Sequence, residues 1–270
     1  MKVLWSSMLK DRSLRELIAA ARDAGYDALS VMPHDLDELR TSGHTPAEAS
    51  GWAQDAGVEL AIYDCVIEWY DHDPPRRPMV GDGIGTSEVV PVCAELGVKL
   101  VNAVAAYTTS QSIDQLAVAF GLLCDQVASC GAVAMLEFAP LPPVGSLAVG
   151  WEVVRQANRP NGKLLVDTWH LARSGSDPAL LREIPGDRVG AVQLSDGDAT
   201  LTMPLMKATM TARRLPGEGD FDLESVLGAL RDTGGLTVVG PEVLTTAWAH
   251  VSTVDIARLT YEACERVGAW

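Results

Sequence analysis

Four apolar runs that otherwise read as buried strands end in polar side chains. Glu137 sits in LEFAP, and Asp167 ends the run in LLVDTWH with His170 three residues later. Gln193 and Asp196 lie in AVQLSD, and Glu242 in VVGPEV. Acidic side chains are almost never fully buried unless they are paired or bound to a cation. Carboxylates crowded together raise one another's pKa, and a divalent ion removes that cost. Carboxylate and amide oxygens with a nearby imidazole suit Mn2+, Mg2+ or Co2+ better than Zn2+. Singly, each residue has a plainer role: Glu137 as a rim residue paired with Arg, Asp167 as a helix N-cap, His170 as a hydrogen-bonder, Gln193 as a structural amide. Their conjunction predicts one divalent ion held by Glu137, Asp167, Gln193 and Glu242.

The elements that must position these residues alternate along the chain. Candidate strands are KVLWSS (2–7), ALSVM (28–32), ELAIYD (59–64), KLVNAVA (99–105), AVAMLEFA (132–139), KLLVDTW (163–169), VGAVQLS (189–195) and LTVVGPEV (236–243). Stretches of helical periodicity separate them, many closing on a glycine suited to a left-handed C-cap, such as Gly25, Gly57, Gly97, Gly131 and Gly234. Eight strand-plus-helix units at a spacing of roughly 33 residues predict a single-domain (β/α)8 barrel over residues 1–270. The strands are continuously apolar, as parallel strands covered by helices should be. An open doubly wound sheet would show a Gly-rich phosphate loop after its first strand, and WSSMLKDRS is not one. In a barrel the active site lies at the C-terminal ends of the strands. The four polar residues occupy four consecutive ends.

Bulk composition narrows the partners. The chain has 270 residues, 47% hydrophobic, with 21 basic and 36 acidic residues and a net charge of −15. Such a chain repels nucleic-acid phosphates and anionic membrane surfaces alike. No apolar run approaches the ~20 residues that span a bilayer, and the apolar stretch before the first charges is too short for a signal peptide. Five cysteines, scattered and outside metal-ligand spacing, read as free thiols in a reducing cytoplasm. A small-molecule partner is expected, with homo-oligomerisation open.

The pieces LEFAP, VDTWH, VQLSDGD, RRLPGEGDFD and GPEV resemble the xylose-isomerase-like barrel superfamily. That group includes sugar-phosphate isomerases and epimerases, inosose isomerases and dehydratases, 3-dehydroshikimate dehydratases and apurinic-site endonucleases. The resemblance spans nearly the whole chain and is specific in its second half. It implies one divalent metal on Glu137, Asp167 and Glu242, His170 close to substrate or metal, and a substrate contact from Arg213 or Arg214. Most members carry His where this chain has Gln193. An amide oxygen is a harder ligand, shifting preference from Zn2+ toward Mg2+, Mn2+ or Co2+. Some relatives resembling the bacterial 3-dehydroshikimate dehydratases also carry Gln there. The multi-metal endonuclease branch uses more histidines than the five present here.

Such a site is suited to removing a proton next to a carbonyl through an enediolate. Glu137 and Glu242, from non-adjacent strands, could serve opposite faces of the substrate, and His170 could protonate a leaving hydroxyl. The leading expectation is a metal-dependent isomerase or epimerase of a sugar or cyclic polyol ketone. The alternatives are a dehydratase of the 3-dehydroshikimate or inosose type, acting on a cyclic keto-acid or polyol, and a barrel that binds a sugar or partner without catalysis. Two long loops are expected over the site. Residues 63–78 carry Trp69 and Tyr70, either as a sugar-binding wall or as rim cover, and His72 as a second acid–base group or a substrate hydrogen-bonder. Residues 197–219 carry Met203, Met206 and Met210 as an adaptable lid or subunit contact. Trp5 either lines the cavity floor or packs the core. Arg76, Arg77, Lys207, Arg213 and Arg214 are the candidate cations for a phosphate.

Overall fold

The computed structural model describes residues 1–9, 12–72 and 84–270. Arg76 and Arg77 lie outside the described residues, as does the rest of the expected first loop from residue 73 onward. Strands β1 (Val3–Leu4), β2 (Ala28–Val31), β3 (Glu59–Glu68), β4 (Ile84–Gly85), β5 (Leu100–Val104), β6 (Val133–Glu137), β7 (Gly162–Asp167), β8 (Val189–Leu194) and β9 (Val239–Pro241) are all parallel where they pair. Their order is β1-β2-β3-β5-β6-β7-β8-β9, with β4 paired off the path to β3. A parallel bridge between Lys2 and Val239 joins the last strand to the first. The result is a (β/α)8 barrel.

Helices α1 (Leu14–Ala24), α2 (Pro33–Thr41), α3 (Pro46–Ala56), α4 (Thr86–Leu96), α5 (Ile113–Ala128), α6 (Leu147–Ala157), α7 (Thr168–Arg173), α8 (Leu205–Thr211), α9 (Leu223–Thr233) and α10 (Thr253–Arg266) surround the sheet. Local chemistry fixes their ends. The Ser13, Ser112, Ser146 and Ser252 side chains each accept from an orphan amide of the first turn, and Thr45 with Glu48 forms a capping box. Helix α1 buries Leu14, Leu17, Ile18 and Ala21 against the barrel, the spacing of one helical face. Because helices cover every strand from outside, the apolar runs need not alternate.

Inside the barrel a separate cluster of Val3, Trp5, Ala28, Ala61, Ile62, Met135, Leu165 and Ala191 forms a dry floor. Trp5 is fully buried within it. Barrel closure depends on Gly240, where a Cβ would fall 1.7 Å from the Val3 carbonyl oxygen. No side chain fits between β9 and β1 at that level. Above the floor the inward residues become polar, and the chemistry starts there.

Candidate metal centre

Each polar residue stands where its strand runs out. Glu137 and Asp167 are the last residues of β6 and β7, and Glu242 follows β9 directly. Gln193 lies on β8 in register with Asp167. All four are buried, Asp167 and Gln193 completely. Asp167 divides its carboxylate: Oδ1 accepts the Trp169 amide at 2.8 Å, capping α7, while Oδ2 faces the mouth. The helix-cap role and the ligand role therefore coexist. Helix α7 brings His170 back over the site, with Nε2 3.3 Å from both Glu137 Oε1 and Asp167 Oδ2. One ligand atom from each of Glu137, Asp167 and His170 lies within 4.8 Å of the others.

Glu242 joins this group through Arg213. The buried Arg213 donates from one nitrogen to Asp167 Oδ2 at 2.8 Å, to Glu242 Oε2 at 3.0 Å and to the Glu242 carbonyl at 3.1 Å. Its Nε bonds the Thr209 carbonyl on α8, and its guanidinium lies over the Trp169 ring. The second oxygen of Glu242 accepts from Ser7 Oγ at 2.8 Å. Arg214 points the other way, to Asp198 and the Glu218 carbonyl on the surface. The two arginines are thus distinguished: Arg213 enters the mouth and Arg214 does not.

The electrostatics follow from three carboxylates in a poorly solvated ring. Burial, then the neighbouring Asp167 and Glu137 charges, pushes the Glu242 carboxyl up to about 7 despite Arg213. Burial alone would lower the His170 pKa, but Asp167 and Glu137 outweigh it and the imidazole is raised. Arg213 is raised in the same way by Asp167 and Glu242. Positive charge is what this ring demands.

The donor set fits a divalent cation. Two carboxylates and an imidazole converge, and Gln193 beside Asp167 has both Oε1 and Nε2 buried without a hydrogen-bond partner among the described residues. A buried amide left wholly unsatisfied costs about 1–3 kcal/mol for each group, and a ligand of a cation is not unsatisfied. Glu137 and Asp167 of the expected quartet thus stand with His170 at ligand distance, and Glu242 is linked to Asp167 through Arg213.

Other expected residues lie elsewhere. The strand expected over 59–64 runs on to Glu68, so Trp69 and Tyr70 start the loop later. Trp69 is buried, donates from Nε1 to the Val104 carbonyl, and lines a cleft of about 520 Å3 with Tyr70, Val118 and Leu122. His72 stacks on Tyr107 with ring centroids 4.0 Å apart. Within 197–219, α8 interrupts the expected loop, and Met210 is exposed. Asp196 accepts the backbone amides of Gly197, Phe221 and Gly217, which anchors that loop's return to the barrel.

Residues at the mouth that the sequence reading passed over are Ser7, Asp64 and Asn102. The Asn102 Nδ2 donates to Asp64 Oδ1 at 2.8 Å and to Glu137 Oε2 at 2.6 Å. A signal was present: ELAIYD ends in Asp, and LVNAV carries an amide in an apolar run.

The sequence pattern of the xylose isomerase-like TIM barrel matches residues 18–259. The chain belongs to that family. Within it, the chain is 27% identical over 231 residues to a 3-dehydroshikimate dehydratase of Pseudomonas aeruginosa, covering 82% of this chain and 34% of that protein. It therefore spans about a third of the length of that relative. An inosose isomerase of Bacillus velezensis is 22% identical over 97% of this chain and 94% of its own. Among solved folds of the family, the IOLI protein with a binding zinc atom superposes with a TM-score of 0.85 at 21% identity, over 99% of this chain and 98% of that one. These relatives carry names of isomerising and dehydrating enzymes, and the zinc-bound neighbour shares the fold in which the acidic mouth lies.

Proposed function

We propose that this chain is a divalent-metal-dependent isomerase or epimerase of a sugar or cyclic polyol ketone. The observation that carries the reading is the convergence of Glu137, Asp167 and His170 within 4.8 Å, with Glu242 linked to Asp167 through Arg213. Glu137, Asp167, Gln193 and Glu242 would hold the ion with His170 in reach, Mn2+, Mg2+ or Co2+ suiting the oxygen-rich set better than Zn2+. When bound, the ion supplies positive charge to the oxygens of a ketone and its neighbouring hydroxyl.

The protein's own groups handle the proton. Burial pushes the Glu242 carboxyl up to about 7 in the metal-free protein, a bound cation would favour its ionised, proton-accepting form, and Ser7 and Arg213 fix its two oxygens. Glu137 approaches from β6 and Glu242 from β9, so each addresses a different face of a substrate seated between them. Arg213 rather than Arg214 reaches that substrate. His72, stacked on Tyr107, is proposed as a second acid–base group or a hydrogen-bonder to it.

A dehydratase is the second reading. It is supported by the similarity to the 3-dehydroshikimate dehydratase, and by Gln193, which the family resemblance sets at a position where His is usual. In this reading His170 stays outside the ligand set, and its protonated imidazole, held between Glu137 and Asp167, would deliver a proton to the departing hydroxyl.

Both readings begin with the same proton removal, so one assay tests both. Keto-polyols and 3-dehydroshikimate are incubated in D2O with Mn2+, Mg2+ or Co2+ and followed by NMR and ultraviolet absorbance. Deuterium entering next to the carbonyl, lost in Glu137→Gln and Glu242→Gln, is expected. Product that isomerises supports the first reading, and growing conjugated absorbance the second. Full exchange in both variants would refute the roles given to these carboxylates.

A further inference from the structure

Asn102 lies at the centre of β5, fully buried, between two acidic side chains from the flanking strands. Its register partners are Asp64 on β3 and Met135 on β6, and Glu137 stands two residues beyond Met135. Both neighbours present acceptor oxygens, so the amide nitrogen and not its oxygen must face them. The Nδ2 has two hydrogens and spends one on each, at 2.8 Å to Asp64 Oδ1 and 2.6 Å to Glu137 Oε2.

This contact divides the Glu137 carboxylate. With Oε2 held by Asn102, Oε1 is the atom turned to His170 Nε2. The same amide stands between Asp64 and Glu137, two acids that would otherwise face each other in a buried mouth. An Asp at 102 would add a third negative charge there, and an aliphatic residue would leave the two acids without their shared donor. Outer groups that fix the orientation of a metal ligand commonly change metal affinity by 10–100-fold.

We infer that Asn102 is a positioning residue, which acts through Glu137 to aim one carboxylate oxygen at the metal centre. The inference rests on the metal-dependent reading above and deepens it.

The test is Mn2+ titration of metal-free protein at 25 °C, followed by the electron paramagnetic resonance of free Mn2+, with thermal unfolding in EDTA measured alongside. The variants are Asn102→Leu, close in shape but without the amide, and Asn102→Ala should the first not fold. We expect one site in wild type and in the variant, with the variant's Kd raised 10–100-fold at a temperature where both are folded. A merely structural amide would lower the unfolding temperature and leave Kd unchanged. A wild type that binds Mn2+ beside a variant with Kd within threefold overturns the role of Asn102 alone. A wild type that binds none overturns the metal reading and this inference together.

Discussion

Replacing Arg213 with Met isolates the electrostatics of the mouth. The guanidinium is 1% exposed and serves Asp167, which is 0% exposed, and Glu242, which is 9% exposed in its side chain. Met preserves most of the stem volume, so the change removes charge and hydrogen bonds without a large cavity. Taking one partner from a buried ion pair costs about 3–5 kcal/mol, because the remaining charge stays desolvated. For a chain of this size each kcal/mol shifts the midpoint by about 2–4 °C, giving a fall of about 6–20 °C. The assay is thermal unfolding in EDTA at pH 8, where Glu242 of the wild type is ionised; in the variant, without the Arg213 charge that holds this carboxyl down, it takes up a proton more readily, which keeps the loss toward the lower end of that range. Lowering the pH to 5.5 should shrink the loss, since Glu242 then carries its own proton. Saturating Mn2+ should raise the midpoint more in the variant than in wild type, because the ion neutralises carboxylates that Arg213 no longer serves. A midpoint within 2 °C of wild type in EDTA, or an equal rise with Mn2+, would refute the reasoning.

Other perturbations address the titration and the closure of the barrel. Glu242 moves from an ordinary 4.5 to about 7 on folding, so its neutral form stabilises the metal-free fold below pH 4.5, and that contribution is lost as pH rises through 7. Glu242→Gln should therefore gain stability relative to wild type across that window, by up to about 3 kcal/mol. Parallel pH–stability curves for the two in EDTA would contradict this. Gly240→Ala places a methyl against the Val3 carbonyl and should cost more than about 3 kcal/mol or prevent folding. Gly51→Ala, in α3 with open space around it, should stabilise by about 0.5–1 kcal/mol. Denaturant midpoints separate the pair, and similar values for both would undo the packing argument.

Much of this architecture is legible in the sequence because parallel strands buried on both faces appear as uninterrupted apolar runs. Each expected strand is found, but β3 extends four residues past Asp64, as Val66 and Ile67 continue the buried pattern. Helices α2, α7 and α8 escape the periodicity argument because nine, six and seven residues are too short to establish a period. Glu137, Asp167, Glu242 and His170 stand out because the barrel assigns chemistry to strand ends. Arg213 and Arg214 could not be separated in advance. Arg214 pairs in an antiparallel bridge with Asp196, and in extended backbone adjacent side chains point to opposite sides. Ser7 was silent for another reason: one hydroxyl announces nothing until its carboxylate partner is known, and the amide of Asn102 in LVNAV was a signal without a named partner.

The number of metal ions bound per chain, and its loss on mutation, bears most directly on the central claim. Metal-free protein should take up about one equivalent of Mn2+ in equilibrium dialysis. Glu137→Gln and Asp167→Asn should each abolish that uptake at micromolar metal while remaining folded in circular dichroism. Undiminished binding by both variants would mean that the ion sits elsewhere, and the acidic mouth would need another explanation.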